Sequence, residues 1–203
     1  MPATQEGKAR LRLLLLLGLL ALSAGGAYWA WFATYHFAAV QEGVLYRAGN
    51  RSMREFSSAC RSAKPRTIVA LIDDQEIQKQ PFADEPEYCR AHQIEFVRIP
   101  IQLGGRPTSD DVRRFLALLD DPKKRPVLVH CAQGVRRTGM MVAAWQQSAL
   151  GYDAAAAKSA IVPWGRKPDS NTLQDIRNFI DDYDPVSRTV GNAHATTRPV
   201  AVE

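Results

Sequence analysis

The sequence predicts an α/β domain with a mainly parallel central sheet flanked by helices, preceded by an N-terminal transmembrane helix. Three observations predict it. Short apolar runs rich in β-branched residues alternate with amphipathic stretches from about residue 43 to 183, the pattern of strands joined by helical crossovers. One apolar run, Pro126-Val127-Leu128-Val129, passes through a glycine-containing loop directly into a helix-forming stretch, Met140-Met141-Val142-Ala143-Ala144-Trp145. And no Asp, Glu, Lys or Arg occurs between Arg12 and Glu42. A chain of 203 residues can bury one good core, so one domain with appendages is expected.

At the N-terminus, Lys8, Arg10 and Arg12 precede a leucine-rich run from Leu13 to Leu22, and the apolar character continues through Tyr28-Trp29-Ala30-Trp31-Phe32. About 20 helical residues cross a hydrocarbon layer of roughly 30 Å, so 13–35 reads as a single-pass membrane anchor, with Tyr28, Trp29, Trp31 and Tyr35 as its aromatic belt. The competing reading is a signal peptide cleaved near Ser23-Ala24-Gly25-Gly26; the aromatic stretch beyond those residues favours the uncleaved anchor. The basic residues 1–12 would stay in the cytoplasm and the domain, 43–183, would face the extracytoplasmic side. Arg47, Arg51 and Arg54, close behind the span, weigh against that orientation.

Within the domain, Ser52 is an N-cap for a helix to about Ala63. A β-branched strand follows over 67–72, a short helix over 84–92, and an alternating strand over 95–99. Thr108 opens a helix whose Val112, Phe115, Leu116 and Leu119 share one face, with Asp110 and Asp111 in its first turn, where carboxylates favour the helix dipole. A helix after Arg137 ends near Gly151, a C-cap. Asp153 caps an Ala-rich helix, and Ser170 begins a last one with Leu173, Ile176, Phe179 and Ile180 on its apolar face. Residues 184–203 have little apolar content and read as a loose tail.

The formal charge of +5 suits acidic substrates or an anionic membrane surface. The arginines are scattered and no basic stripe interleaves with aromatics, so no nucleic-acid partner is expected. Three cysteines are present, far apart in sequence and without a Cys-x-x-Cys, which argues against zinc; Cys60 and Cys89 could pair in an oxidising compartment.

The chemistry concentrates in His130-Cys131-Ala132-Gln133-Gly134-Val135-Arg136-Arg137-Thr138-Gly139. A strand–loop–helix of this kind can turn successive backbone N–H groups inward as a nest for an anion, with the positive end of the following helix aimed at the same place. A thiol at the base of such a nest is favoured as thiolate.

These residues resemble the loop His-Cys-x-x-Gly-x-x-Arg-Thr-Gly of the cysteine-dependent protein tyrosine and dual-specificity phosphatases. The opening strand Gly43-Val44-Leu45-Tyr46-Arg47-Ala48-Gly49 looks like that of the compact atypical dual-specificity members. The resemblance implies the three-layer phosphatase fold, no cofactor and no metal. It makes Cys131 the nucleophile and gives Arg137 the bidentate grip on phosphate oxygens that a lysine would not supply. The N–H groups of Ala132, Gln133, Gly134, Val135, Arg136 and Arg137 complete the cradle. Gly134 makes the tight turn, Thr138 donates to the thiolate as it leaves the phosphocysteine, and His130 orients the loop. The Arg136 side chain is expected near the mouth, favouring polyanionic substrates.

The general acid expected about thirty residues upstream is missing: Ile99-Pro100-Ile101-Gln102-Leu103-Gly104-Gly105-Arg106-Pro107 has no carboxylate. Asp73 and Asp74, at the C-terminal end of a strand, are the preferred acids, followed by Asp110 and Asp111. A good leaving group or a water could also dispense with a protein acid. Trp164, Arg166 and Lys167 form either a substrate wall or a solvated basic turn with a tucked-in tryptophan. The function expected is a membrane-anchored phosphatase acting on phosphotyrosine, phosphoserine or phosphothreonine proteins or another phosphomonoester. The alternatives are a phosphatase of inositol phosphates or phosphoinositides, and a pseudophosphatase that binds phosphorylated ligands without turnover.

Overall fold

The structure, a computed structural model, describes residues 5–32 and 34–185. After helix α1 (Gln5–Phe32) come β1 (Ala38–Gln41), β2 (Leu45–Gly49), α2 (Met53–Ala63), β3 (Thr67–Ala70), α3 (Glu85–Ala91), β4 (Glu95–Arg98), α4 (Ser109–Asp120), β5 (Val127–Cys131), α5 (Arg136–Leu150), α6 (Ala154–Ser159) and α7 (Asn171–Asp182). The sheet is mixed and mostly parallel, in the order β1-β2-β5-β3-β4. β1 runs antiparallel to β2 at one edge and every other pair is parallel.

The period-2 alternation of the strands sorts two cores. Tyr46, Ile68 and Leu128 meet Phe56, Cys60 and Cys89 of α2 and α3 on one face. Leu45, Val69, Val127 and Val129 meet α4, α5 and α7 on the other. Both faces are covered, as a mainly parallel sheet requires, and the three layers are helix, sheet and helix. Helix α5 is buried along its length from Arg137 to Gln147, because sheet and helices surround it. Parallel pairing brings Gly49, Cys131 and Ala70 to the same edge, the edge where such sheets place ligands.

Local signals hold at the helix ends. Ser52 Oγ accepts from Glu55 N at 3.3 Å. Thr108 and Asp111 form a reciprocal capping box, so Asp111 is committed to the helix end. Asp153 accepts from Ala156 N at 2.7 Å, and Gly151 caps α5 with φ 70°.

Two expectations change. The uncharged stretch before Glu42 is not one element: α1 stops at Phe32, and Ala38–Gln41 is the edge strand β1, recruited by backbone pairing to β2. Among the described residues, no helix is long and apolar enough to cross a membrane; the transmembrane helix expected over 13–35 is therefore not found. The side chains of Trp29 and Trp31, which would complete its aromatic belt, lie outside the described residues, as do residues 1–4 and most of the tail, 186–203.

Candidate active site

β5 delivers Cys131 to the sheet edge, and the next four residues turn into α5. Gly134 has φ +65°, and a Cβ there would lie 2.4 Å from the backbone of Ala48 and Gly49. Gly49 meets the loop from the other side, where a Cβ would lie 2.8 Å from the Gln133 carbonyl carbon and oxygen. Both positions need glycine because two backbones touch there. The Gly134 N–H donates to Cys131 Sγ at 3.2 Å. Val135, at the N-cap of α5, offers no side-chain cap, so the first turn of the helix is open to an anion.

Support comes from behind the loop. Arg47, buried in β2, donates from Nη2 to Gly134 O at 2.7 Å. Burial lowers its proton affinity to about 10, against the pull of the Cys131 charge. Asn50 N–H is shared between Cys131 O at 3.2 Å and Ala132 O at 3.0 Å. The Asn50 amide donates to Glu85 Oε1, and Glu85 Oε2 lies 3.4 Å from His130 Nε2, a fully buried polar group beneath the loop.

A cavity of about 300 Å³ opens over Cys131, lined by Glu76, Leu103, Gly104, Ala132, Gln133, Val135, Arg136, Arg137 and Thr172. Arg137 is held for it from several sides. Its Nη1 donates to Leu71 O and Ile101 O, each at 3.2 Å, and to Glu76 Oε2 at 2.5 Å, while Nη2 reaches Glu76 Oε1 at 3.2 Å. Burial opposes the guanidinium charge, but Glu76, Cys131 and Asp73 outweigh it and raise its proton affinity.

The structure therefore brings Cys131, Gly134 and Arg137 together as the motif implies, and corrects other expectations. Asp73 is turned onto the backbone and does not line the cavity. Its Oδ1 accepts from Gln75 N at 2.9 Å and Glu76 N at 2.8 Å, and Oδ2 accepts from Leu103 N at 3.2 Å. These bonds, that of Glu76 first, hold its carboxyl below the usual range, with Arg137 adding to the effect. Asp74 is exposed, paired with Arg98 at 2.7 Å and absent from the cavity wall. Arg136 lines the cavity but is not a free cation at the mouth: it bonds Asp175 at 2.8 Å, Gly105 O at 2.6 Å and Gly104 O at 2.7 Å, tying the 102–105 turn to α7. Thr138 Oγ1 is buried without a hydrogen-bond partner, and so makes no bond to Cys131. Trp164 lies under Arg47 at 5.9 Å, and Arg166 donates to Gln133 Oε1 at 2.6 Å, so that loop buttresses the cradle. Cys60 and Cys89 are free buried thiols; burial first drives both up, Cys89 to about 12. Among the described residues no cluster of His, Cys, Asp or Glu is placed to hold a metal ion.

Sequence reasoning missed Arg47, Glu76, Asn50 and Glu85. Arg47 carried a signal, a charge inside an apolar strand, which must find partners. Glu76 sits in a run of polar residues and carried none.

Sheet order, thiol, nest and arginine together define the class: a cysteine-dependent phosphatase. Residues 46–175 match the family described as DSP-PTPase phosphatase fused to NAD+ kinase, and the chain belongs to that family. Probable NAD kinase 2, chloroplastic, of Oryza sativa subsp. japonica is 36% identical over 82 residues, 40% of this chain and 8% of the relative. The chain thus spans under a tenth of that relative's length. Inositol diphosphatase DSP3 of Arabidopsis thaliana is 25% identical over 157 residues, 75% of this chain and 71% of the relative. Among solved structures, the catalytic core of PP-IP phosphatase SIW14 from S. cerevisiae superposes with a TM-score of 0.60 at 20% identity, covering 74% of this chain and 86% of that one. TpbA of P. aeruginosa gives 0.56 at 20% identity, with 73% and 84% covered. These likenesses carry the fold.

Proposed function

We propose that this chain hydrolyses phosphate esters through a phosphocysteine. The Cys131 thiolate attacks phosphorus, the bond to the leaving oxygen breaks with its electron pair on that oxygen, and water then hydrolyses the thiophosphate, releasing inorganic phosphate and regenerating the thiolate. The N–H groups of 132–137 and the Arg137 fork bind the phosphoryl oxygens and stabilise the transition state. Thr138 would assist departure of the thiolate by rotating its unpartnered hydroxyl toward it. The observation that carries this reading is Cys131 Sγ at the base of a cavity that also presents the Gly134 N–H and Arg137.

The substrate follows from the missing acid. Of the described residues lining the cavity, Glu76 is the one carboxylate, and it is bound to Arg137. Phosphotyrosine, phosphoserine and phosphothreonine proteins remain candidate substrates. A phosphoanhydride is favoured over them, since its phosphate leaving group departs unprotonated. Two of the matched relatives are named inositol diphosphatases, and we infer an inositol bearing a diphosphate group as the best candidate. The test compares the purified chain on a diphosphoinositol phosphate, an activated aryl phosphate, a phosphotyrosine peptide and a phosphoserine peptide. The first two should exceed the alkyl monoester by about 10²-fold or more. Phosphate binding without hydrolysis of any of them would favour the pseudophosphatase instead.

We further propose that α1 attaches the chain to a membrane. Leu13 to Leu17, Leu19, Leu20 and Leu22 are exposed around the whole helix, an arrangement unfavourable in water. Retention in the membrane fraction after alkaline carbonate is expected. A soluble chain whose mature N-terminus lies near Gly25 would point to a signal peptide.

A further inference from the structure

A loop whose N–H groups face an anion turns its carbonyls outward, and each outward carbonyl needs a donor. The account closes residue by residue. Asn50 N–H serves Cys131 and Ala132, Arg47 serves Gly134, and Gly139 N–H serves Val135 at 2.7 Å. The Gln133 carbonyl is served by His36 Nδ1 at 2.7 Å. A carbonyl can only accept, so Nδ1 carries the proton. His36 precedes both the expected domain and the matched residues 46–175.

The arm bearing His36 is built in. Tyr35 O accepts from Gly49 N at 2.8 Å. The Tyr35 ring stacks on His36 at 3.9 Å and lies beneath Arg51 at 3.6 Å. Trp164 also stacks on His36, at 4.9 Å. His36 holds φ 50°, a left-handed conformation that costs energy unless its surroundings fix it. Gln133 is thus gripped at its backbone by His36 and at its side chain by Arg166.

We propose that His36 is a positioning residue of the phosphate loop, whose bond to the Gln133 carbonyl fixes the Gln133–Gly134 peptide and so keeps the Gly134 N–H turned inward, toward Cys131 and the phosphate it attacks. The inference rests on 131–137 being a phosphate site. Burial lowers the proton affinity of the ring, the Gln133 bond opposes this, and Arg166, Arg51 and Arg47 lower it further. The neutral Nδ1–H form therefore makes the bond, and protonation of Nε2 would leave the donor in place.

Two substitutions in the full chain separate donor from ring. His36→Asn keeps a side-chain N–H and tolerates the left-handed backbone. His36→Phe keeps a ring to stack on Trp164 and loses the donor. Calorimetric titration with inorganic phosphate and kcat/KM on an aryl phosphate are read for both, with melting temperature alongside. His36→Phe should weaken phosphate binding and lower kcat/KM by about 5- to 10-fold, the worth of one hydrogen bond. His36→Asn should stay within about 2-fold of the parent. Equal losses in the two variants, or no loss in His36→Phe, overturn the proposal. Should His36→Phe not fold, the parent chain with 15N-labelled histidine decides: the His36 Nδ1–H resonance shifts on adding phosphate, and an unmoved resonance overturns the proposal. A parent chain that neither binds phosphate nor hydrolyses an ester refutes the site itself and this inference with it, a result distinct from either His36 outcome.

Discussion

Two neighbouring strands, β5 and β3, leave the same edge of the sheet and solve one problem in opposite ways. Each turns into a bend with inward N–H groups. After β3 the bend fills itself: Asp73 takes the N–H groups of Gln75 and Glu76 and adds that of Leu103 from the facing turn. After β5 the loop carries no carboxylate, and Cys131 Sγ accepts the Gly134 N–H alone among its side-chain bonds. The first bend is a finished structural unit. The second holds its donors for a ligand. The difference teaches that a carboxylate at a strand's C-terminal end is as readily a substitute for a bound anion as a catalytic group, and only its hydrogen bonds tell the two apart.

The comparison can be broken most sharply at Cys131. Cys131→Ser should lower turnover by about 10⁴-fold or more while phosphate binding, measured by calorimetry, stays within a few-fold of the parent. Near-parental rates in that variant would remove the nucleophile and the contrast together. Arg137→Lys should lower kcat/KM by about 10²- to 10³-fold and weaken phosphate binding as well, because a point charge replaces a fork.

The bend after β3 serves the loop after β5 through Glu76, which belongs to one and grips Arg137 of the other. Glu76→Gln keeps the shape and loses the charge, and we expect about a 10-fold fall in kcat/KM with little change in fold, checked by steady-state kinetics and circular dichroism.

Asp73→Asn should act on stability instead, lowering it by about 1–3 kcal/mol in denaturant titration while leaving the ratio of alkyl to aryl phosphate hydrolysis unchanged. Its folded-state carboxyl is depressed, so its contribution is present above the ordinary Asp value of about 3.9 and is lost as pH falls through the lower folded value. The variant should lose that part of the acid transition. A selective loss of alkyl phosphate hydrolysis would restore Asp73 as the acid. The smallest effect is expected for Asp74→Asn, within about 0.5 kcal/mol and without kinetic consequence, since the Asp74 carboxylate is exposed beside its half-buried partner Arg98.

What the sequence disclosed follows the range of its signals. The strand Pro126-Val127-Leu128-Val129, the caps Ser52, Thr108 and Asp153, and the apolar face Leu173, Ile176, Phe179 and Ile180 are local patterns, and the structure has each of them. The cysteine–arginine spacing is local too. Glu76, Asn50 and His36 reach Arg137, the Cys131 peptide and Gln133 across 61, 81 and 97 residues of chain, and no periodicity encodes such meetings. Arg136 failed in the same way: its position in the motif was legible, but its partners Asp175 and Gly105 were not.

The two remaining thiols have a practical use. Cys60 and Cys89 lie in the core with their protons held by burial, and neither lines the cavity that opens over Cys131. A brief exposure of the folded protein to a thiol alkylator near neutral pH should therefore modify one sulfur per competent molecule. The molecule carries its own titrant: label counted against total protein gives the fraction of a preparation whose catalytic cradle is correctly assembled, without any substitution in the chain.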